Sequence, residues 1–600
     1  MPLVVEIWRL LDHRQRRSFL LLQAAALLMA VSTLAGIAAI VPFFAVLADP
    51  GRISHSAVLG WVYRNGGFST EHSFLIAVGF GSVGIILAAD AINWLGSLAM
   101  NRFAYRIGDH FATVLFGHYL HQDYPFHLAS NSATLLNNVI WEVGRGTTGV
   151  LQFYFVLCTN LAAGILIITS IVLVNPLVAV ATFVALTVTY AMIYGLVRRR
   201  LLHNGQLESR YGQERTGIAS ESLRAVREIS LLRSQAFFRD QFASSCESLS
   251  RVALSTQAIA QGPRYILECI VVAGLVGTAL FLIGRGGETG PWLAQLTYLG
   301  FAAYRLLPAL QQVFHALVRI RADRVAFHHI AEDLRQACSA QERSPPSPNP
   351  NSWHRRPLRH IQLTDVTFQY CADRPPALRN VTLTIDAGTT VGLVGPSGAG
   401  KTTLIELILG LLVPTSGTLA VDGIALDATN RADWQSTVAY VPQGIFVFDT
   451  SLAQNIALGV GLEQIDEERL RNAVRLAQLE PLVATFPNGY REQMGEHGAR
   501  LSGGQRQRLG IARALYRDVS VLILDEATNA LDRLTEDEIM STLDALRGKR
   551  TIILIAHRLS TALRCDVFFE IENGAVIGSD IQDELTQGTS GSREPLQRVR

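Results

Sequence analysis

Gly395-Pro396-Ser397-Gly398-Ala399-Gly400-Lys401-Thr402-Thr403 is the stretch whose reading decides the fold. It fits the phosphate-cradling pattern GxxxxGK[ST], and its flanks are those such a loop needs. The apolar run Thr390-Val391-Gly392-Leu393-Val394 precedes it and reads as a buried strand, and Thr403 to Leu411 reads as a helix. The glycines let backbone N–H groups turn inward on phosphate oxygens, and the helix N-terminus adds its positive end. The spacing predicts Lys401 on the β- and γ-phosphates and Thr402 on Mg²⁺.

Downstream lie the partners that this loop requires. Val521-Leu522-Ile523-Leu524-Asp525-Glu526 is an apolar strand ending in two acids. A continuous apolar run suits a parallel strand buried on both faces. Asp525 is expected to orient Mg²⁺ through a water, and Glu526 to polarise the water that attacks the γ-phosphate. Leu501-Ser502-Gly503-Gly504-Gln505 precedes a helix expected over Arg506 to Tyr516. With Ser502 as N-cap it makes a second anion-binding helix start. One nucleotide does not need two such starts from one domain, so a dimer with shared sites is expected.

Upstream the character changes. Apolar residues make up 49% of the 600-residue chain and charged residues only 17%, below the ~25% of soluble domains. The net charge of +2 implies no nucleic-acid partner. Six scattered cysteines, without CxxC spacing, read as reduced thiols rather than a disulfide framework or zinc site. Six apolar runs, Phe19–Leu47, Ser73–Met100, Gly149–Val174, Leu177–Val197, Tyr265–Ile283 and Pro291–Leu317, read as membrane spans, each near or above the ~20 residues a bilayer requires. The first is too long for a signal h-region. Cationic loops, notably Arg14, Arg16, Arg17, Arg102, Arg106 and Arg198-Arg199-Arg200, place both termini in the cytoplasm.

The connections Asn101–Thr148 and Arg198–Arg264 are long, amphipathic and free of Pro/Gly clusters. They read as membrane helices continued into the cytoplasm, reaching on the order of 36 Å beyond the bilayer. The external segment Gly51–Ser73 reads either as a short surface helix or as a loop. The expected organisation is an α-helical membrane domain (1–335), a Pro-rich linker (336–357), an α/β phosphate-loop nucleotide-binding domain (358–585) and a polar tail (586–600).

With these motifs in this order, the chain resembles a half-size ABC exporter over nearly its full length. The resemblance implies an ATP-hydrolysing translocase using ATP and Mg²⁺. It implies adenine stacking by Tyr370, and Mg²⁺ sensing with membrane-domain contact by Gln443. It assigns nucleotide contacts to Gly395–Thr403 and, from the partner copy, to Ser502, Gly503, Gly504 and Gln505. His557 matches the switch histidine at the γ-phosphate. Gly495-Glu496-His497-Gly498 matches the exporter cross-linking loop, and Asn529-Ala530-Leu531-Asp532 the dimer-contacting loop. No site position is degenerate, which favours a homodimer with two working sites.

For the cargo, short matches at Val41-Pro42-Phe43-Phe44, Tyr124-Pro125-Phe126-His127-Leu128, Pro263-Arg264-Tyr265 and Tyr304-Arg305-Leu306-Leu307-Pro308 resemble bacterial flippases of lipid-linked oligosaccharides (PglK). That implies a lipid-linked cargo in the bacterial cytoplasmic membrane. The alternatives are a drug, peptide or lipid A-type exporter and, from another class, an ATP-gated channel. The 18 or so residues before span one argue against exporters carrying a peptidase domain. Glu268 and Arg305 lie at similar depth either side of the turn near residue 287, ~27–28 Å down by helical rise. They are expected either to pair or, for Arg305 with Arg264, to attract an anionic head group. Asp90 is left without a partner by this reading.

Overall fold

The computed structural model describes residues 2–48, 57–66, 68, 70–174, 176–284, 289–341, 358–371, 373–525, 533–555 and 564–581. The chain divides into two compact units, Met1–Gln122 with Phe126–Ser344, and Asp123–Pro125 with Pro345–Arg600.

Among the described residues, the regular elements of the first unit are all helices. α1 (Pro2–Leu10) and α2 (His13–Ala48) are followed by α3 (Ala57–Asn65), α4 (Glu71–Leu120), α5 (Val150–Val174) and α6 (Pro176–Arg224). Then come α7 (Gln235–Gln261), α8 (Pro263–Gly284) and α9 (Thr289–Gln341). Two π-helical turns, Asn138–Glu142 and Gly144–Gly149, lead into α5. α4 starts cleanly because the Thr70 hydroxyl accepts from the Ser73 N–H at 3.2 Å. Its 50 residues run for about 75 Å, so the helix does continue past its apolar stretch as the sequence predicts. α6 and α9 extend in the same way.

Every predicted span falls on a helix. By length and composition, His13–Phe44, Glu71–Leu120 and Ser132–Leu173 are apolar enough to cross a membrane, among the described residues. Only 11% of the most apolar window of Glu71–Leu120 is buried, and Phe80, Leu87 and Trp94 point outward. A surface this apolar is stable only against lipid or protein. Of the two readings of the external segment, the helix is the one formed. α3 packs Leu59 and Tyr63 against Phe68 and the fully buried Phe74.

One core of this unit gathers Ile7, Phe19, Phe111, Leu115, Phe155, Phe327 and Leu334. Glycine permits backbone contact beside it. A Cβ on Gly146 would lie 2.6 Å from the Phe327 nitrogen, and one on Gly205 2.3 Å from the Ala322 carbonyl oxygen. Gly146→Ala and Gly205→Ala are each expected to cost about 1–3 kcal/mol by overpacking and to lower the melting temperature of the purified protein. Gly117→Ala, with open space around it, should be neutral or slightly stabilising.

The second unit holds two sheets. A six-stranded sheet runs β10-β9-β3-β8-β7-β6, and an antiparallel one β2-β1-β4-β5. The strands are β1 (His360–Phe368), β2 (Leu378–Asp386), β3 (Thr390–Val394), β4 (Ser416–Val421), β5 (Ile424–Ala425) and β6 (Val438–Val441). β7 (Val521–Asp525), β8 (Thr551–Ile555), β9 (Val567–Glu572) and β10 (Ala575–Ile581) complete them. β6, β7, β8, β3 and β9 are mutually parallel. β7 and β8 are buried at every residue, which is why they read as unbroken apolar runs.

α10 (Lys401–Ile408) packs Leu404, Leu407 and Ile408 with Val521 and Ile523. α11 (Gly503–Tyr516) packs Leu509 and Ile511 with Leu522 and Leu524. Successive strand residues face opposite ways, so α10 and α11 lie on opposite faces of this sheet.

Candidate nucleotide site

The phosphate loop leaves the C-terminal end of the central strand β3, where ligands of open α/β sheets collect. Three of its residues need backbone that only glycine adopts without strain. Gly395 (φ +148°), Gly398 (φ +79°) and Gly400 (φ +103°) turn the chain from strand into helix. A Cβ at Gly395 would stand 2.1 Å from the Ile571 carbonyl oxygen, and one at Gly400 2.8 Å from that of Ala377. At Gly398 nothing lies within 4 Å, so this is the open side of the loop. Ala399 is buried, and its carbonyl accepts from the Gly574 N–H at 3.0 Å. The β9–β10 turn thus braces the loop from behind.

Lys401 is only 6% exposed. Its Nζ donates to the carbonyls of Gly395 (2.7 Å) and Pro396 (2.9 Å), which aims the ammonium along the inner rim of the loop. Pro396, Ser397 and Thr402 are exposed, while Thr403 is buried. The helix spans Lys401–Ile408 rather than the expected Thr403–Leu411. It starts at Lys401 because the left-handed Gly400 serves as its cap, and it ends early at Gly410, where φ is +67°.

Tyr370 follows β1. Its hydroxyl lies 3.1 Å from Thr403 Oγ1 and donates to Glu406 Oε2 at 3.0 Å. The ring meets Phe368 edge to face at 4.9 Å and is 47% exposed, enough to leave a face for a planar ligand. Burial pushes its pKa above the usual phenol value despite the Thr403 hydroxyl, with the Glu406 carboxylate adding to the rise.

Asp525 ends β7 and is buried. It pairs in register with Ile555, which pairs with Leu393. Two strand spacings, about 9–10 Å, therefore separate Asp525 from the strand feeding the phosphate loop. Tyr440 on β6 donates its hydroxyl to Asp525 Oδ2 at 3.1 Å. Burial first, and the Asp525 charge second, hold this phenol well above its ordinary value. Thr402 offers a hydroxyl and Asp525 a carboxylate, and oxygen donors of this kind fit a hard cation such as Mg²⁺.

Gln443 is exposed two residues beyond β6. The loop it opens meets the Gly495–Gly498 loop. The Phe446 ring contacts the His497 ring at 5.6 Å, and a Cβ on Gly498 would lie 3.0 Å from Val447. Arg513 on α11 ties the same loop down, donating to the carbonyls of Asn455 (2.9 Å) and Phe446 (3.2 Å).

Ser502 caps α11 as expected, but the helix begins at Gly503, not Arg506. A capping box closes it. Ser502 Oγ accepts from the Gln505 N–H at 3.3 Å, and Gln505 Oε1 accepts from the Ser502 N–H at 2.8 Å. Ser502 and Gln505 thus hold the start of the helix in shape together. Glu526, Asn529, Asp532 and His557 lie outside the described residues.

In the membrane unit the expected Glu268–Arg305 pair is not formed. Glu268 accepts from Arg264 Nε at 2.7 Å. The two sit one turn apart on α8 and share a face, so a nearer cation satisfies the acid. Arg305 lies 3.6 Å from Asp90 instead, which gives that residue its partner. Leu267 and Leu306 pack in one cluster, so the two helices do bring these positions to a common depth. Among the described residues, Arg305 Nε is buried without a hydrogen-bond partner.

Sequence reasoning missed Tyr440, Glu406, Gly574 and Arg513. A tyrosine inside an apolar strand reads as core, and the others act through partners distant in sequence.

The profile described as ABC transporter matches residues 378–529, and that described as ABC transporter transmembrane region matches 19–288. The chain is 32% identical over 461 residues to the heterocyst differentiation ATP-binding protein HepA of Nostoc sp. (strain PCC 7120), covering 76% of this chain and 73% of that protein. It is 27% identical over 586 residues to the ATP-dependent lipid A-core flippase of Bordetella avium, covering 97% and 95%. A solved bacterial Atm1-family ABC exporter with ATP bound superposes with a TM-score of 0.75 at 22% identity, over 97% of this chain and 100% of that one. Two matched regions, a phosphate loop on a parallel sheet and helices fit to cross a membrane make this chain a member of the ABC transporter family, an ATP-hydrolysing exporter half-transporter.

Proposed function

We propose that two copies of this chain form a flippase that uses ATP to carry an anionic lipid across the bacterial cytoplasmic membrane, with a lipid A-type molecule as cargo. In this reading residues 1–335 form the six-span membrane domain with both termini cytoplasmic. Residues 336–357 link it to the ATP-binding domain, 358–585, and 586–600 form a polar tail.

Tyr370 stacks on adenine while Gly395–Thr403 wrap the phosphates. Ser502, Gly503 and Gly504 of the other copy complete the site, with Gln505 holding that helix start in shape. The placement of α10 and α11 on opposite sheet faces supports this sharing. Thr402 and Gln443, with Asp525 through a water, would hold Mg²⁺, which would supply neutralisation of phosphate charge. Glu526 positions the attacking water and His557 senses the γ-phosphate. Glu526→Gln should cut turnover by about 10²–10⁴-fold while ATP still binds. Closure drives transport because the two membrane conformations differ in affinity for the closed dimer.

The observation that carries the cargo class is Arg305, a guanidinium in a predicted span which, among the described residues, has one ion-pair contact, to Asp90, long at 3.6 Å, and an Nε without a hydrogen-bond partner. Ionisable groups at such depth mark substrate paths, and a phosphate would satisfy this one. Relatives named as lipid A-core flippases favour the lipid A-type cargo over the lipid-linked oligosaccharide that the short span motifs suggested.

Proteoliposome assays test both. ATP-dependent translocation is compared for a lipid A-type lipid, a fluorescent polyprenyl-pyrophosphate glycan and amphipathic drugs. Movement of the drugs alone would overturn the lipid reading, and movement of the glycan alone would restore the oligosaccharide cargo. Arg305→Gln should reduce lipid-stimulated ATPase about 10-fold or more, the value of a lost charged hydrogen bond, with basal ATPase preserved. Asp90→Asn should leave the stimulation in place.

A further inference from the structure

Where α9 passes the π-helical turns and α6, three carboxylates converge on one guanidinium. Arg145 lies 3.5 Å from Glu142, 3.2 Å from Glu208 and 3.4 Å from Asp323. Ser209 threads the group, accepting from Arg145 at 3.2 Å and donating to Glu142 at 2.9 Å, and Asn137 donates to Glu142 at 3.5 Å. Glu142 is 2% exposed and Asp323 4%.

Asp323 is buried because the backbones touch on both sides of it, while Arg145 and Glu208 stay partly exposed at the edge. Gly205 meets Ala322 just before it, and Gly146 meets Phe327 one turn later. Asp323 lies six residues past the end of the last predicted span at Leu317, so the group belongs to the cytoplasmic extension.

Three acids around Arg145, with Arg319 as the one further cation acting on Asp323, leave an excess of negative charge beside buried Asp323 and Glu142, which is relieved by taking up a proton. The charges acting on Asp323 are Arg145 from the π-helical turns, Glu208 from α6 and Arg319 on its own helix. Glu142 reaches it through Arg145. α1, α2, α4, α5, α7 and α8, which also pack on α9, add no charged group to those acting on Asp323. Arg319 is drawn partly away, its guanidinium standing 5.7 Å from the Phe153 ring centroid.

We propose that this cluster is a proton-operated clasp: the packed arrangement of the π-helical turns, α6 and α9 holds a proton on Asp323 that the separated arrangement releases, so acidity of the cytoplasmic side tightens the packing. Long helices must shift against one another in a transport cycle, so the clasp makes cycling pH-dependent. Its existence stands apart from any assignment of cargo.

Burial pushes the Asp323 carboxyl from its ordinary 3.8 to about 6, against the pull of Arg145 and Arg319. A raised acid pKa means that the packed state binds the extra proton. Its advantage is therefore greatest at low pH and is lost as pH rises through about 6. Between pH 7.5 and 5.5 the packed state should gain about fourfold over the separated one.

The test is amide exchange, corrected for its intrinsic pH dependence, across residues 142–149 of the full-length protein in lipid nanodiscs. Wild type should show about fourfold greater protection at pH 5.5 than at 7.5. Asp323→Asn should abolish that difference and hold at pH 7.5 the protection that wild type reaches at 5.5. Glu208→Gln removes a like charge and should move the midpoint to lower pH, which keeps the proposal testable if the Asn variant folds poorly. Equal protection of wild type at both pH values, a pH response retained by Asp323→Asn, or a midpoint unmoved by Glu208→Gln overturns it.

Discussion

Lys401→Ala is expected to abolish ATP hydrolysis, with turnover falling by at least about 10²-fold, the scale on which removing one preorganised charge from a phosphate site is felt. The magnitude follows from where Lys401 sits. Its ammonium is buried and held at 2.7 and 2.9 Å by the Gly395 and Pro396 carbonyls, so its charge is aimed before the nucleotide arrives and needs no reorganisation. Phosphate release from the full-length protein in liposomes measures the loss. Lys401→Met, which keeps the aliphatic stem inside the loop, should lose as much activity while retaining the wild-type melting temperature. Retention of more than a tenth of wild-type turnover by the Met variant would show that the charge is not what matters.

Mixed dimers give the second large effect. Gly504→Glu puts a carboxylate at the start of α11, against γ-phosphate charge, and should silence whichever site that helix completes. If sites are shared between copies, a dimer of one Lys401→Ala chain and one Gly504→Glu chain keeps one intact site, built from the unaltered loop and the unaltered helix start. A dimer of a doubly substituted chain and a wild-type chain keeps none. If each chain made its own site, the outcomes would be reversed. Separately tagged copies, purified as mixed dimers, decide between them by ATPase assay. The first mixture should hold measurable activity and the second should be near background.

Much of the nucleotide unit is legible in sequence because its chemistry is local. The phosphate loop, the Asp525 strand end and the Ser502 cap each depend on residues within one turn or one strand, where spacing specifies geometry. The errors there are also local. α10 begins at Lys401 because Gly400 adopts φ +103°, and a glycine before a helix does not announce which side of it the helix begins. Gln505 carries a structural role beside its family position, since a glutamine three residues past a serine cap is half of a capping box.

The membrane unit is legible in outline and opaque in detail. Apolar runs predict its helices, but helical rise alone cannot choose among partners of equal depth. It placed Glu268 beside Arg305 without weighing Arg264, one turn away, or Asp90, on another helix. The Arg145 cluster had no sequence signal at all, since its members sit on three separate helical segments and each alone reads as an ordinary charged residue.

By itself, then, the sequence determined what this protein is made of: a phosphate loop with its acid partners, a second helix start that needs another copy, and apolar runs that need a membrane. Each of those follows from contacts between residues near in the chain. Only the tertiary structure decided which charges meet: Tyr440 with Asp525, Arg305 with Asp90, and Arg145 with Glu142, Glu208 and Asp323. Electrostatic pairing is settled by distance and burial, and both are set by how distant segments pack.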